Sequence, residues 1–320
     1  MLKNKRILLT GGAGFIGTKL SSILSEGNEI LIYDNLDRNS IKDTDILNKE
    51  NVVLVKGDIL DQENIKSVVK SFRPNVVIHL AAVAGIETVI KNPVKTMKVN
   101  MIGTYNLLES LVEVIDDVEK VIDFSTSEVF GSYAYKVEES SNTNLAPVGE
   151  ARWTYSVSKL AGEHLAHSYY KEYGMPVVTV RPFNIYGPGQ VGEGAIHRFV
   201  VNAIRNEDIS IHGDGDQIRS WCYIEDFVQG ILLCVEKQEA IGQSFNIGNP
   251  KGTVTIGMLG QMVKSIAESD SEIKYVPKNY VDVELRIPSI EKAKEILGYE
   301  PKYDLYAGLE ETISWYRSKL

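Results

Sequence analysis

Between Ser125 and Lys159 the chain gathers a hydroxyl pair, a carboxylate, a phenol and an amine. Ser125-Thr126-Ser127-Glu128-Val129-Phe130-Gly131 opens the stretch and Tyr155-Ser156-Val157-Ser158-Lys159 closes it. The phenol and the amine lie four residues apart, so on a helix both project from one face. An ammonium beside a phenol favours the phenolate and lowers its pKa from about 10 toward working pH. A phenolate so made is a general base for a sugar or alcohol hydroxyl. An amphipathic helix that happens to carry Tyr and Lys has the same spacing, so the elements around the stretch must decide.

Those elements begin with residues 6–10, an apolar run suited to a strand buried on both faces. Gly11 to Gly17 follows at once, where Gly12, Gly14 and Gly17 satisfy G-x-G-x-x-G and Gly11, Gly14 and Gly17 the wider G-x-x-G-x-x-G. Either spacing makes a tight turn and lets a pyrophosphate approach backbone N–H groups at a helix N-terminus. A second strand, residues 29–33, ends in Asp34, an acid at the distance expected beyond the glycines. Asp34 would accept from ribose hydroxyls and repel a 2′-phosphate, favouring NAD over NADP, whereas nearby Arg38 weighs the other way. An ordinary βαβ turn is the alternative.

A third strand at 52–56 leads to Asp58, which either touches the adenine or caps the helix starting near Asp61. Residues 76–80 form a fourth strand, whose His79 reads as a packed core histidine, and Ala81-Ala82 lets a cofactor backbone run close. Residues 93–114 read as one long helix containing Asn100, and a fifth strand at 121–124 delivers Ser125 to Glu128 to the same sheet edge. Residues 133–152 are polar and irregular, a lid or substrate loop. The Tyr155 helix runs to about Tyr173 and stops at Gly174 with Pro176 beyond, and 177–180 is a sixth strand. Thereafter shorter strands, at 209–212 and 244–247, alternate with helices near 196–204, 224–235 and 256–266. The fold class is α/β: a doubly wound parallel Rossmann sheet over 1–180, and a smaller mixed substrate-binding domain over 181–320, some of whose segments return to the sheet.

The composition narrows the partners. A net charge of -9 gives no general field for nucleic acid or anionic membranes, so an anionic ligand must be met by local positive groups. Two cysteines, Cys222 and Cys234, make neither a disulfide framework nor metal-ligand spacing. No apolar run reaches spanning length and the N-terminus lacks a signal peptide's pattern, so a cytoplasmic location is expected and no metal is called for.

Taken together, the Gly11 turn, Asp34, His79-Leu80-Ala81-Ala82, Ser125 to Gly131, Tyr155 with Lys159, and Arg181 to Gln190 resemble the extended short-chain dehydrogenase/reductase superfamily of nucleotide-sugar epimerases, dehydratases and decarboxylases. The resemblance covers nearly the whole chain. It implies bound NAD held by Gly11, Gly14, Phe15, Ile16, Gly17, Asp34, Asn35, Asp58, Ile59, Leu80, Ala81, Ala82, Asn100, Tyr155 and Lys159. It further implies that Tyr155 takes the sugar 4-hydroxyl proton as C4 is oxidised, that Lys159 binds the nicotinamide ribose, and that Thr126 holds the 4-oxygen. A nucleotide-diphosphate sugar would be bound through Asn184, Arg219 and Arg286, and the family suggests a homodimer through the Asn100 and Tyr155 helices.

The branches of the family part after the 4-keto sugar. Epimerases return hydride to the other face, 4,6-dehydratases expel water from C6, and uronic acid decarboxylases lose carbon dioxide from what has become a β-keto acid. Ser127 and Glu128 are the discriminating catalytic positions, with Glu128 suited to proton transfer at C5 or, alternatively, to capping the following turn. Thr126-Ser127-Glu128, Arg152-Trp153-Thr154-Tyr155 and Arg286-Ile287-Pro288-Ser289-Ile290 look most like UDP-glucuronate decarboxylases. Against this, Gly187-Pro188-Gly189 stands where decarboxylases usually have Gly-Pro-Arg, and Glu193 nearby would disfavour an acidic sugar. UDP-glucuronate decarboxylation is thus expected first, with 4-epimerisation or 4,6-dehydration as alternatives and a cofactor-binding regulator without catalysis as the different class.

Overall fold

The structure, a computed structural model, describes residues 2–278 and 280–320. Strands β1 (Arg6–Thr10), β2 (Glu29–Asp34), β3 (Val52–Lys56), β4 (Val76–His79) and β5 (Lys120–Phe124) are short and largely apolar, buried except along the partly exposed edge strand β3, and all pair in parallel. Between them run α1 (Phe15–Leu24), α2 (Gln62–Phe72), α3 (Ile86–Lys91), α4 (Pro93–Met97) and α5 (Gly103–Val112). Alternation divides β1 between two cores. Leu8 joins Val77, Val121 and Val177 under α2 and α5, while Ile7 and Leu9 join Ile78, Ile122 and Val180 on the other face.

The long helix expected over 93–114 is α4 and α5 joined by a π-helical turn at Lys98–Ile102, which places Asn100 in a bulge. Residues 133–152, expected to be irregular throughout, begin instead with strand β6 (Tyr133–Val137). The polar letters there hid an alternation, for Ala134 is buried between exposed Tyr133 and Tyr135. Helix α6 (Thr154–Tyr173) follows, and its C-terminus is Gly174 in the left-handed region at φ 70°.

Strand β7 (Val177–Pro182) leads into β8 (Ile185–Tyr186), α7 (Ala195–Ile204), β9 (Ile209–His212), β10 (Ile218–Ser220), β11 (Cys222–Tyr223), α8 (Ile224–Glu236) and β12 (Ser244–Ile247). After these come β13 (Thr253–Thr255), α9 (Ile256–Ile266), β14 (Ile273–Val276), β15 (Leu285–Pro288) and α10 (Leu305–Arg317). The main sheet has seven strands in the order β12-β7-β5-β4-β1-β2-β3, so the chain reverses direction between β1 and β4 and opens a crevice at their carboxyl ends. The segment boundary at residue 180 is crossed both ways. Strand β12 completes the main sheet, whereas β6 joins β13, β10 and β15 in a four-stranded sheet.

Candidate functional site

At the end of β1, Gly11 has φ +69°, and a Cβ there would stand 2.5 Å from the Ala81 nitrogen. The glycine turn therefore packs directly on Leu80-Ala81-Ala82 at the end of β4. No side chain caps the N-terminus of α1, which leaves its first N–H groups facing the crevice. Asp34 accepts from Ala13 N at 3.0 Å and from Leu36 N at 2.7 Å, tying the turn to the end of β2. Burial pushes its carboxyl up, and those two backbone bonds oppose the shift.

The crevice holds a cavity of about 680 Å³ that runs from Asp34, Asn35, Asp58 and Ile59 past the glycine turn to Ser125, Tyr155 and Lys159. Every expected cofactor contact lines it except Asn100. That residue accepts from Val83 N at 2.8 Å and donates to Val83 O and Ser158 Oγ, fastening the exit of β4 to α6. Asp58 is not a helix cap; Asp61 takes that role by accepting from Asn64 N at 3.0 Å. The elongated shape, the acid at one end and the uncapped helix in the middle fit a dinucleotide.

His79 is 2% exposed and wedged between two hydroxyls, Thr10 Oγ1 to Nδ1 at 2.7 Å and Thr104 Oγ1 to Nε2 at 2.9 Å. Thr104 gives its own proton to Asn100 O, so Nε2 is the donor to Thr104 and Thr10 donates to Nδ1. The ring is a neutral strut, and burial with the nearby Lys159 charge pushes it down to about 3.

Tyr155 does not carry the depressed pKa expected from its neighbour. Burial first, then the Glu128 charge, push the phenol up to about 12, against the Thr126 hydrogen bond and the charges of Arg152 and Arg286. Lys159 is 4% exposed; burial pushes it down, while Asp123 and Glu163 push it up. The ammonium's field is thus shared with two acids behind it, and the protein's own groups do not make a phenolate.

Thr126 caps the turn Ser127–Phe130 by accepting from Glu128 N at 3.2 Å, so Glu128 does not cap it. The Glu128 carboxylate is gripped by a guanidinium fork instead: Arg152 Nη1 at 2.6 Å and Nη2 at 3.0 Å, with Ser156 Oγ donating at 3.2 Å and Arg286 Nη1 at 3.6 Å. Burial alone would raise it, but the two arginines outweigh burial and hold it at about 2. An acid so held is a fixed anion and a poor proton donor.

Arg286 and Arg219 come together because they are register partners on β15 and β10. Arg219 lies against Val283 O and Asp282, and Arg152 reaches the same Asp282 at 3.7 Å. Three arginines thus face two carboxylates, and the buried Nε atoms of Arg152 and Arg286 have no partner among the described residues. Arg152 was legible only as part of a motif; nothing in its spacing marked it as the partner of Glu128.

Two expectations for the 184–193 segment change. Asn184, at φ 46°, donates its amide to Ser220 O at 2.9 Å and accepts from Cys222 N, joining β8 to β10; like Arg219 and Arg286 it stands outside the cavity lining. The Glu193 carboxylate is engaged by α3. It accepts from Glu87 N at 2.7 Å and from Thr88 N and Oγ1, so the 187–194 loop straps across the crevice onto α3. Gln190 and Val191 of that strap and Thr88 and Asn92 opposite all line the cavity, and the sequence carried no signal for this closure.

The sequence profile of the family described as GDP-mannose 4,6 dehydratase matches residues 8–312. A UDP-N-acetyl-alpha-D-glucosaminuronate decarboxylase of Bacillus cytotoxicus is 32% identical over 323 residues, 98% of this chain and 98% of the relative. UDP-glucuronic acid decarboxylase 6 of Arabidopsis thaliana is 36% identical over 96% of this chain and 87% of its own length. Among solved structures, a UDP-glucuronic acid 4-epimerase of Bacillus cereus in complex with UDP-glucuronic acid and NAD gives a TM-score of 0.89 at 28% identity, covering 98% of this chain and 100% of that one.

Proposed function

Because the chain belongs to the GDP-mannose 4,6-dehydratase family and is an NAD-dependent nucleotide-sugar enzyme, we propose that it decarboxylates a UDP-linked uronic acid, with UDP-glucuronate as the specific substrate. The observation that carries this reading is the pair of buried guanidiniums, Arg152 and Arg286, gathered around Glu128 beside Tyr155. With Arg219 they exceed Glu128 and Asp282 by one positive charge, which in a chain of net charge -9 is the local positive field that an acidic sugar needs. They also offset the missing arginine after Gly187-Pro188.

NAD, when bound, supplies the hydride acceptor for C4 and returns the hydride at the end. In this reading Tyr155 takes the C4 hydroxyl proton, Thr126 orients the 4-oxygen through the same hydroxyl that bonds Tyr155, and Lys159 favours the phenolate. Since the protein's own groups leave the phenol at about 12, Tyr155 becomes a base only when the loaded site adds positive charge or hydrogen bonds. The C4 ketone then makes the acid on C5 a β-keto acid, the C5–carboxylate bond breaks, its electrons pass into the enolate, and C5 is reprotonated. Glu128, held as an anion, orients Arg152 and Arg286 toward the sugar; with the fork engaged it is not the acid. Ser127, 3% exposed at the start of the same turn, is the hydroxyl this reading assigns to the C5 side. Arg219 is assigned to the pyrophosphate and Asn184 to the backbone that carries it.

We further infer a homodimer and a cytoplasmic location. Tyr105 of α5 and Tyr173 of α6, both beside Tyr169, are exposed, an aromatic patch fit for a second copy. Among the described residues no helix is long and apolar enough to cross a membrane.

Incubation with UDP-glucuronate, UDP-N-acetylglucosaminuronate, UDP-glucose and dTDP-glucose, followed by product mass, tests the reaction. The expected result is loss of the mass of carbon dioxide from a uronate. Loss of water would mean dehydration, unchanged mass with altered retention would mean epimerisation, and no conversion of either uronate would end the decarboxylase reading.

A further inference from the structure

Arg181 heads the motif that ends at Gln190, and the chemistry above gives it no role. It stands on β7 and is 6% exposed. Strand alternation puts it with Val177 on the face covered by α6, opposite Val178 and Val180. From there its guanidinium reaches three segments. Nε donates to Glu163 Oε2 at 3.1 Å and Nη2 to Glu163 Oε1 at 2.8 Å, a fork on a buried carboxylate of α6. Nη1 donates to Glu139 O at 3.1 Å, in the loop after β6. The guanidinium carbon also lies 5.0 Å from the centre of the Phe130 ring, at the end of the Ser127–Phe130 turn.

Two of those segments carry the site and the third is bound to it. Glu163 lies on the same helix as Tyr155 and Lys159, four residues beyond the lysine. Phe130 ends the turn that Thr126 caps and that bears Ser127 and Glu128. The loop after β6 returns to that turn through Asn144 N on Val129 O at 3.1 Å, and a Cβ on Gly131 would stand 2.3 Å from Asn144 O. Its other anchor is β12, where Asn246, the register partner of Arg181, donates its N–H to Glu139 Oε1 at 2.7 Å. Ser244 Oγ of the same strand donates to Glu163 Oε1 at 2.8 Å.

Stability gives little reason for such a pair. Taking two charges out of water costs about what their attraction returns, and apolar residues of like volume can replace a buried pair without loss. We propose that Arg181 is a positioning residue for the redox step: one guanidinium ties the Tyr155 helix to the turn bearing Thr126 and to the loop after β6, and so fixes the phenol against the hydroxyl that orients the 4-oxygen. The proposal rests on the roles given above to Tyr155 and Thr126. A flat fork with five donors serves all three partners at once, whereas an ammonium at the same place neutralises Glu163 and does no more.

The test compares the holoenzyme with Arg181→Lys, which keeps a cation opposite Glu163 and removes the fork. Tm is expected to stay close to the parent's. For the nucleotide sugar that the parent converts, kcat is expected to fall about ten- to a hundredfold, with KM and NAD binding unchanged. Full activity would show that neutralising Glu163 is all that Arg181 supplies and would overturn the proposal. A second variant, Arg181→Met with Glu163→Leu, removes both charges together and leaves neither ion of the pair buried alone. It is expected to share the low kcat, and a kcat equal to the parent's would again overturn the proposal. Peptide-level hydrogen exchange reads the tie without turnover: both variants are expected to exchange about tenfold faster than the parent over 126–144, with β1 to β4 unchanged. Unchanged exchange over 126–144, or faster exchange throughout the chain, would overturn it. Local loosening together with no conversion of any nucleotide sugar by the parent would count against the proposed function and for the Arg181 tie.

Discussion

Glu128 is a half-buried carboxylate and Asp123 a buried one, and their surroundings move them in opposite directions. Glu128 is depressed from 4.5 to about 2, so its stabilising contribution is fully present above the unfolded value and is lost as pH falls through about 2. Glu128→Gln is expected to cost on the order of 3 kcal/mol at pH 7, with the gap to the parent closing between about pH 4 and pH 2. Urea midpoints at pH 7 and pH 3 check this, and a gap that does not narrow would mean that charge is not the cause. Asp123 is raised from 3.8 to about 6, so it weakens the fold above that value and the penalty fades as pH falls toward its unfolded pKa. Asp123→Asn should therefore compare more favourably with the parent at pH 7 than at pH 4, by up to about 3 kcal/mol. Tyr155→Phe removes only the oxygen that takes the C4 proton. Turnover is expected to fall by about a thousandfold or more while NAD binding stays close to the parent's, as equilibrium fluorescence titration would show.

At the scale of elements, α6 sets the site by carrying Tyr155, Lys159 and Glu163 at four-residue steps, so one helical face presents the phenol, the amine and the acid that pairs with Arg181. The π-helical turn at Asn100 serves the same placement, since the bulged amide reaches both Val83 and Ser158. Facing them, the 187–194 strap is held at its start by Tyr316 against Gln190 O and at its end by Glu193 on α3. Charge-assisted bonds of this kind contribute about 1.5–3 kcal/mol, so Glu193→Ala is expected to speed NAD release by roughly ten- to a hundredfold. Stopped-flow displacement of bound NAD measures it, and an unchanged release rate would mean that the strap does not retain the cofactor.

Over the whole molecule, the two segments are interleaved by core packing. Phe227 and Ile231 of α8 and Phe245 and Ile247 of β12 share one core with Ile122, Phe124 and Val178. Residues 1–180 alone would expose that face and leave β7 as an edge, so this fragment is expected to lack a cooperative thermal transition that the full chain shows by circular dichroism. The same interleaving places the four-stranded sheet beside the Ser125 turn. Its register of Arg219 against Arg286, with β6 alongside, brings guanidiniums from residues distant in the chain to Glu128.

How far the letters alone reached follows from range. The glycine turn, Asp34, and Tyr155 with Lys159 depend on contacts within one strand–turn–helix unit or one helix face, where residue type and spacing carry the geometry, and they were legible. The short apolar strands were legible because parallel strands buried on both faces need such runs. Strand β6 was not, since its alternation rests on a single buried alanine and on pairing with β15 near the other end of the chain. Only the tertiary structure decided that Arg152 clamps Glu128, that Glu193 turns to α3, and that Asp123 stands behind Lys159. Each of these sets a charge against a charge or a dipole on a segment that sequence spacing does not join, and its sign and strength depend on burial, which exists only once the chain has packed.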